Sequence, residues 1–266
     1  MEEKPLLLAV LDDDQANIQT SIDLLKKYGI YELYEQGVPD LFSNLLPALQ
    51  RNTPPGYFPF IRKTAGGLEV PTYDFVLRLF MFQSAQEQFT FATGHLLRGH
   101  LSQIPGHLRR AIESAGIAFL SKSKPELGEV FMSGDARKLR NATSTKTILP
   151  ADDPVTAPLI GSMEFANSLT HSNFISFANR AEHSMKMEGT KWSISIALDL
   201  YRSDLGSFIR MSLWFLRVME RVLRVLAASF DLPDCDWSAE LEKFRAQVDQ
   251  LYKSLDRIAN PGHNKS

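Results

Sequence analysis

A polar side chain and an imidazole stand four residues apart in the segment Ala166-Asn167-Ser168-Leu169-Thr170-His171. On a helix, residues at that spacing lie one above the other, so Asn167 and His171 are able to address one small site. Imidazole titrates near neutrality and serves as general acid or base. Opening a phosphodiester also requires a cation where negative charge develops, and an arginine fork does this best. The residue before Asn167 is Ala166, which supplies no charge. Other arginine-to-histidine spacings do not replace it. Arg140-Asn141 runs on to Thr145 and Lys146 without a histidine, and Pro261-Gly262 interrupts Arg257 to His263. Arg180, or an arginine from a second subunit, is the candidate for the vacancy.

A second group of residues suits binding rather than catalysis. Arg210, Arg217, Arg221 and Arg224 fall within about 60° of arc on a helix, opposite Phe215, Met219, Val222 and Leu226. Such a stripe fits contact with RNA or with an acidic protein, and Arg137, Lys138 and Arg140 extend it. His95, His100 and His107 straddle Gly99 and Pro105, and are read as independent helix-surface or helix-end side chains. No metal site and no cofactor is expected from them. Leu8 to Asp14 resembles the opening of a phosphoacceptor receiver domain, whose acids would bind Mg²⁺. The continuation fails, because Asp40 follows Val38-Pro39 and opens a helix, so Asp12-Asp13-Asp14 are expected to start a helix instead.

The elements that must position these residues are mostly helical. Residues 1–70 read as an irregular N-terminal helical arm, with helices from Asp12 to Tyr28 and from Asp40 to Gln50, then a break at Pro54-Pro55-Gly56 and Pro59 and a turn at Ala65-Gly66-Gly67 that suits a small hairpin. Residues 71–260 read as a helical-bundle domain. Phe75, Leu79, Phe82 and Phe89 share one face of a helix that stops at Gly99, and Ile104, Leu108, Ala111, Ala115 and Phe119 line the next. Short helices are predicted over Pro125 to Met132 and Asp135 to Ala142, and a longer one from near Thr156 carries Asn167 and His171. Alternation around Glu188-Gly189-Thr190 predicts a small β-hairpin between Glu182–Met187 and Lys191–Asp199. Long helices follow from Gly206 to Phe230 and from Ser238 to Ile258. The seam Leu241, Phe244, Val248, Leu251, Leu255 and Ile258 is expected to pack on other helices or on a second subunit.

Composition narrows the classes. With 266 residues, of which 44% are hydrophobic and 23% charged, the chain is ordinary globular material with a proper core. Its 29 basic and 31 acidic side chains nearly cancel, so any nucleic-acid contact must come from a local patch. The single Cys235 and the acidic start Met1-Glu2-Glu3-Lys4 favour a cytoplasmic location, and Leu6 to Leu11 is too short to span a membrane.

From Thr72 to Phe230 the chain shows a long helix, a glycine break, an Arg-Arg-x-x-Glu helix at Arg109 to Glu113, and a later helix ending in a polar-x-x-x-His segment. This order resembles the HEPN superfamily of helical-bundle proteins, in its bacterial branches. The resemblance implies a mainly α, HEPN-like bundle that homodimerises. Catalytic members of that superfamily pair an arginine with a polar residue and a histidine for metal-independent RNA cleavage. Asn167 takes the polar position and His171 the histidine position, but Ala166 replaces the arginine. The resemblance therefore implies a non-catalytic binding or regulatory module. Its alternative is an RNase with His171 as acid/base, Asn167 positioning the phosphate and an arginine supplied from elsewhere.

Overall fold

The computed structural model describes residues 6–52, 61–63, 65–67, 69–170, 185–188, 191–194 and 205–259. Helix α1 (Leu6–Lys27) ends at Gly29 as expected, but it begins well before the acids. Asp12-Asp13-Asp14 therefore lie within its length rather than in its first turn, and Asp14 reaches Arg98 at 3.4 Å. The next helix starts nine residues earlier than Asp40. It runs through α2 (Tyr31–Glu35), a π-helical stretch (Gln36–Phe42) and α3 (Ser43–Asn52). Pro39, which has no N–H to donate and crowds the preceding turn, sits inside the widened stretch. The segment expected to be an irregular arm is thus regular over 6–52. Ile30, Leu33, Tyr34, Leu41, Phe42 and Leu45 from it are buried in the common core. The Tyr34 hydroxyl donates to the Ser212 carbonyl at 3.2 Å, and Trp237 Nε1 donates to the Leu41 carbonyl at 2.9 Å, so the segment is tied to the last two helices. Strands β1 (Ile61–Lys63) and β2 (Glu69–Pro71) then pair antiparallel, Ile61 opposite Pro71.

The centre of the molecule is a helical hairpin. In α4 (Tyr73–Arg98), Phe75, Phe82, Phe89 and Leu96 recur every seventh residue and all are buried. Gly99 closes it with φ 78°. The N–H groups of Gly99 and His100 return to the carbonyls of Leu96 and His95 at 3.0 and 2.8 Å, capping carbonyls that would otherwise lack donors. Pro105 is accommodated in the first turn of α5 (Ile104–Ser123), where no N–H is required. Ala111, Ala115 and Ala118 are fully buried on α5, and such short side chains let neighbouring backbones approach closely. Two short helices follow, α6 (Glu126–Met132) and α7 (Ala136–Ala142), then α8 (Thr145–Ile148), a 3₁₀ turn at Ala157–Leu159 and α9 (Ile160–Thr170).

Strands β3 (Met185–Glu188) and β4 (Lys191–Ile194) pair antiparallel, with Met185 opposite Ile194 and Glu188 opposite Lys191. They lie within the hairpin Glu182–Met187 and Lys191–Asp199 read from the sequence, of which residues 182–184 and 195–199 lie outside the described residues. The described chain is mainly helical, and neither strand pair extends beyond two strands. Helix α10 (Leu205–Ser229) is the most buried, with Phe208, Phe215, Leu216, Met219, Val222 and Leu226 all fully enclosed. Its C-terminus is held from the hairpin: Arg78, 4% exposed, donates to the Ser229 carbonyl (2.8 Å), Ser121 Oγ (3.3 Å) and Asp74 Oδ2 (2.8 Å). Helix α11 (Asp236–Ala259) packs on α10 and on the π-helical stretch. Leu241, Phe244, Val248 and Leu255 are buried there, so of the two partners the sequence left open for this seam, other helices or a second subunit, helices of the same chain cover these four residues.

Candidate functional site

The C-terminal end of α9 carries the first candidate. Ser162, Met163 and Ala166 form its buried face, and Ala166 is 0% exposed. Asn167 is half-buried, and its Oδ1 is enclosed without a hydrogen-bond partner among the described residues. Thr170 Oγ1 donates back to the Ala166 carbonyl at 2.9 Å. His171 and Arg180 lie outside the described residues. On the other side of the same helix, Phe165 is 42% exposed and packs edge-on against Trp214 at 4.8 Å.

The arginine stripe on α10 proves to be engaged. Arg217 is ion-paired with Asp249 of α11 and lies over the Tyr252 ring, 5.0 Å from its centre. Arg224 bridges Glu220 Oε1 (2.8 Å) and Glu242 Oε1 (2.8 Å). Arg217 and Arg224 are one heptad apart on α10, and so are Glu242 and Asp249 on the antiparallel α11, so the two pairs form rungs between the helices. The cations hold the Asp249 and Glu242 carboxyls below the usual carboxylate range, chiefly by hydrogen bonding. Arg221 turns to α9, donating through one guanidinium nitrogen to the Pro158 carbonyl (2.8 Å) and Ser162 Oγ (3.1 Å). Burial lowers its pKa, and Arg217 beside it adds to the effect. Arg210 alone of the four is exposed with no ion pair among the described residues.

The three histidines, expected to be independent, come together at the turn between α4 and α5. The rings of His95 and His107 stack with centres 5.1 Å apart, and His95 and His100 are 5.8 Å apart. The break at Gly99 reverses the chain, so it joins the rings rather than separating them. His107 Nδ1 lies 2.8 Å from Gln88 Oε1, while His95 Nδ1 is buried without a partner among the described residues. Burial lowers the pKa of both rings. His100 and Arg98 reinforce the shift at His95, and His95 and Arg110 reinforce it at His107. Among the described residues, no three His, Cys, Asp or Glu side chains are placed to hold a metal ion.

A different cationic surface lies on α6 to α8. Gly128 fits α6 against the first turn of α4 so tightly that a Cβ there would stand 2.3 Å from the Asp74 nitrogen and the Tyr73 carbonyl carbon. This contact brings Phe131 beside Phe80, with ring centres 5.4 Å apart. Phe80 remains 52% and Met132 51% exposed. A turn at Ser133-Gly134-Asp135 leads into α7, where Asp135 caps the helix by accepting from the Lys138 N–H at 2.9 Å. That bond lowers the Asp135 pKa, and Lys138 Nζ is 3.4 Å away. Residues 136–148 contain Arg137, Lys138, Arg140 and Lys146 and no acid. Arg137, Arg140 and Lys146 are exposed and form no ion pair among the described residues.

No family profile, curated protein or solved structure matches this chain. Among the described residues, no helix is long and apolar enough to cross a membrane.

Sequence reasoning located the α10 stripe but missed its partners. The signal was present in the matching heptad spacing of Glu242 and Asp249 beside the apolar seam. Ser162 and the Pro158 carbonyl had no such signal, because only the packing of α9 brings them to Arg221.

Proposed function

We propose that this chain is a non-catalytic helical binding or regulatory module, built on the HEPN-like bundle that its helix order resembles. The burial of Ala166 carries this reading. Where the resemblance calls for an arginine at the mouth of a cleft, this chain has a methyl group packed inside the molecule. Arg221, whose guanidinium reaches α9, is held by Pro158 and Ser162 at the start of that helix, and so is occupied away from Asn167. Ala166 offers no cation to pair with the imidazole of His171 in stabilising a cleaving phosphodiester. Homodimerisation, which the resemblance also implies, has to use a face other than the filled seam of α11.

The test is incubation of purified protein with labelled single-stranded RNA in the presence of a chelator. RNA left intact by the wild type and by His171→Ala alike is the expected result. Cleavage by the wild type that His171→Ala abolishes would overturn this reading in favour of a metal-independent RNase with an arginine from elsewhere.

A further inference from the structure

We propose that α6, α7 and α8 form a docking surface for an acidic amphipathic peptide segment of a partner protein. The proposal rests on the binding-module reading above and names its partner chemistry. Two features coincide here. Phe80 and Phe131, ring against ring, and the adjacent Met132 form an apolar ledge, with Phe80 and Met132 about half exposed and Phe131 half-buried. Large apolar side chains clustered on a surface mark contact sites more than scattered ones do, and the flexible thioether of methionine adapts to varied partners. On the helices that follow, Arg137, Arg140 and Lys146 are exposed, with no acid in residues 136–148 to neutralise them, in a chain whose net charge is −2. The Ser133-Gly134-Asp135 turn is short, with the Gly134 N–H bonded to the Phe131 carbonyl at 3.1 Å, and α7 packs on α6.

The occupant follows from this charge pattern. Unpaired cations call for carboxylates, and the ledge calls for apolar side chains between them. Glu126 and Glu129 are exposed on α6 itself. A continuous phosphate backbone laid across the ledge would meet these two acids, whereas a peptide places its carboxylates over α7 and α8 and its apolar face over α6. This favours a peptide over a nucleic acid.

The probe is a fluorescein-labelled synthetic helix with leucine on one face and glutamate on the other, read by fluorescence anisotropy at low salt. The wild type is expected to bind it, with affinity falling as salt rises, and to ignore the same helix with lysine in place of glutamate. The triple variant Arg137→Glu/Arg140→Glu/Lys146→Glu is expected to lose at least about tenfold in affinity. The double variant Phe80→Ser/Met132→Ser is expected to weaken binding as well. Circular dichroism melts matching the wild type show that both variants fold. Absence of binding, or binding indifferent to both sets of substitutions, overturns the proposal. So does a labelled single-stranded RNA that binds the same surface more tightly than the peptide. RNA cleavage alongside intact peptide binding would sink the non-catalytic reading alone. Inert RNA with no peptide binding would sink the docking surface alone.

Discussion

Two cationic surfaces, one on α10 and one on α7 and α8, have similar sequence signatures and opposite fates. On α10 three of four arginines are consumed inside the molecule, by Asp249, by Glu220 with Glu242, and by the Pro158–Ser162 turn. On α7 and α8 the cations face solvent, and among the described residues only Lys138 lies near a carboxylate. The difference lies in what each helix packs against. Helix α10 runs antiparallel to a helix whose acids repeat at the same heptad, while α7 touches the body mainly through α6. A stripe of arginines is therefore no measure of available positive charge until its neighbours are known.

The comparison is broken most severely by lifting α6 from its seat. Gly128→Ala forces a methyl group into the Tyr73–Asp74 backbone. A loss of about 2–3 kcal/mol in urea unfolding is expected, with hydrogen exchange rising first in α6 and α7. Unchanged stability would show that the close approach is not tight. Arg221→Ala should cost about 1–2 kcal/mol, because it leaves Ser162 Oγ and the Pro158 carbonyl without their donor. The single reversals Arg137→Glu and Arg140→Glu should each stay within about 0.5 kcal/mol of the wild type, as expected for solvated side chains. Comparable losses at Arg221 and Arg140 would erase the distinction between the surfaces.

Smaller effects are expected in pH dependence. Asp249 and Glu242 have folded-state values below their unfolded ones, so their stabilising effect is present above about pH 4 and is lost as pH falls through the depressed values. Asp249→Asn should therefore flatten the acid limb of a thermal melt series slightly. The histidine cluster acts in a higher window. Because burial depresses His95 and His107 below 6.5, the unfolded chain takes up protons first. Their contribution is complete above that value and declines below it. His95→Gln/His107→Gln should lose roughly 2–4 °C less in melting temperature than the wild type between pH 7.5 and 5.5. Parallel melting curves would refute the role of the stacked rings.

Much of the hairpin was legible because periodicity and punctuation agree there. The Phe75–Phe82–Phe89 repeat, Gly99 and Pro105 each impose a local rule that packing does not override. The N-terminal region was misread for the opposite reason. Pro39 signals a break before Asp40, yet burial of Leu33, Leu41 and Phe42 against α10 and α11 sustains a widened helix through it. The histidine cluster was invisible in sequence, since Gly99 looks like a separator until its turn geometry is known. Of the candidate site, the spacing of Asn167 was readable, but the burial of Ala166 and the capture of Arg221 depend on how α9 lies against α5 and α10.

The most direct measurement compares the affinity of the leucine–glutamate helix for the Arg137→Glu/Arg140→Glu/Lys146→Glu protein with its affinity for Arg210→Glu, the exposed member of the α10 stripe. A loss of at least about tenfold in the first and none in the second is the expected result. Equal losses in both, or full binding by the triple variant, would contradict the assignment of the available positive surface to α7 and α8.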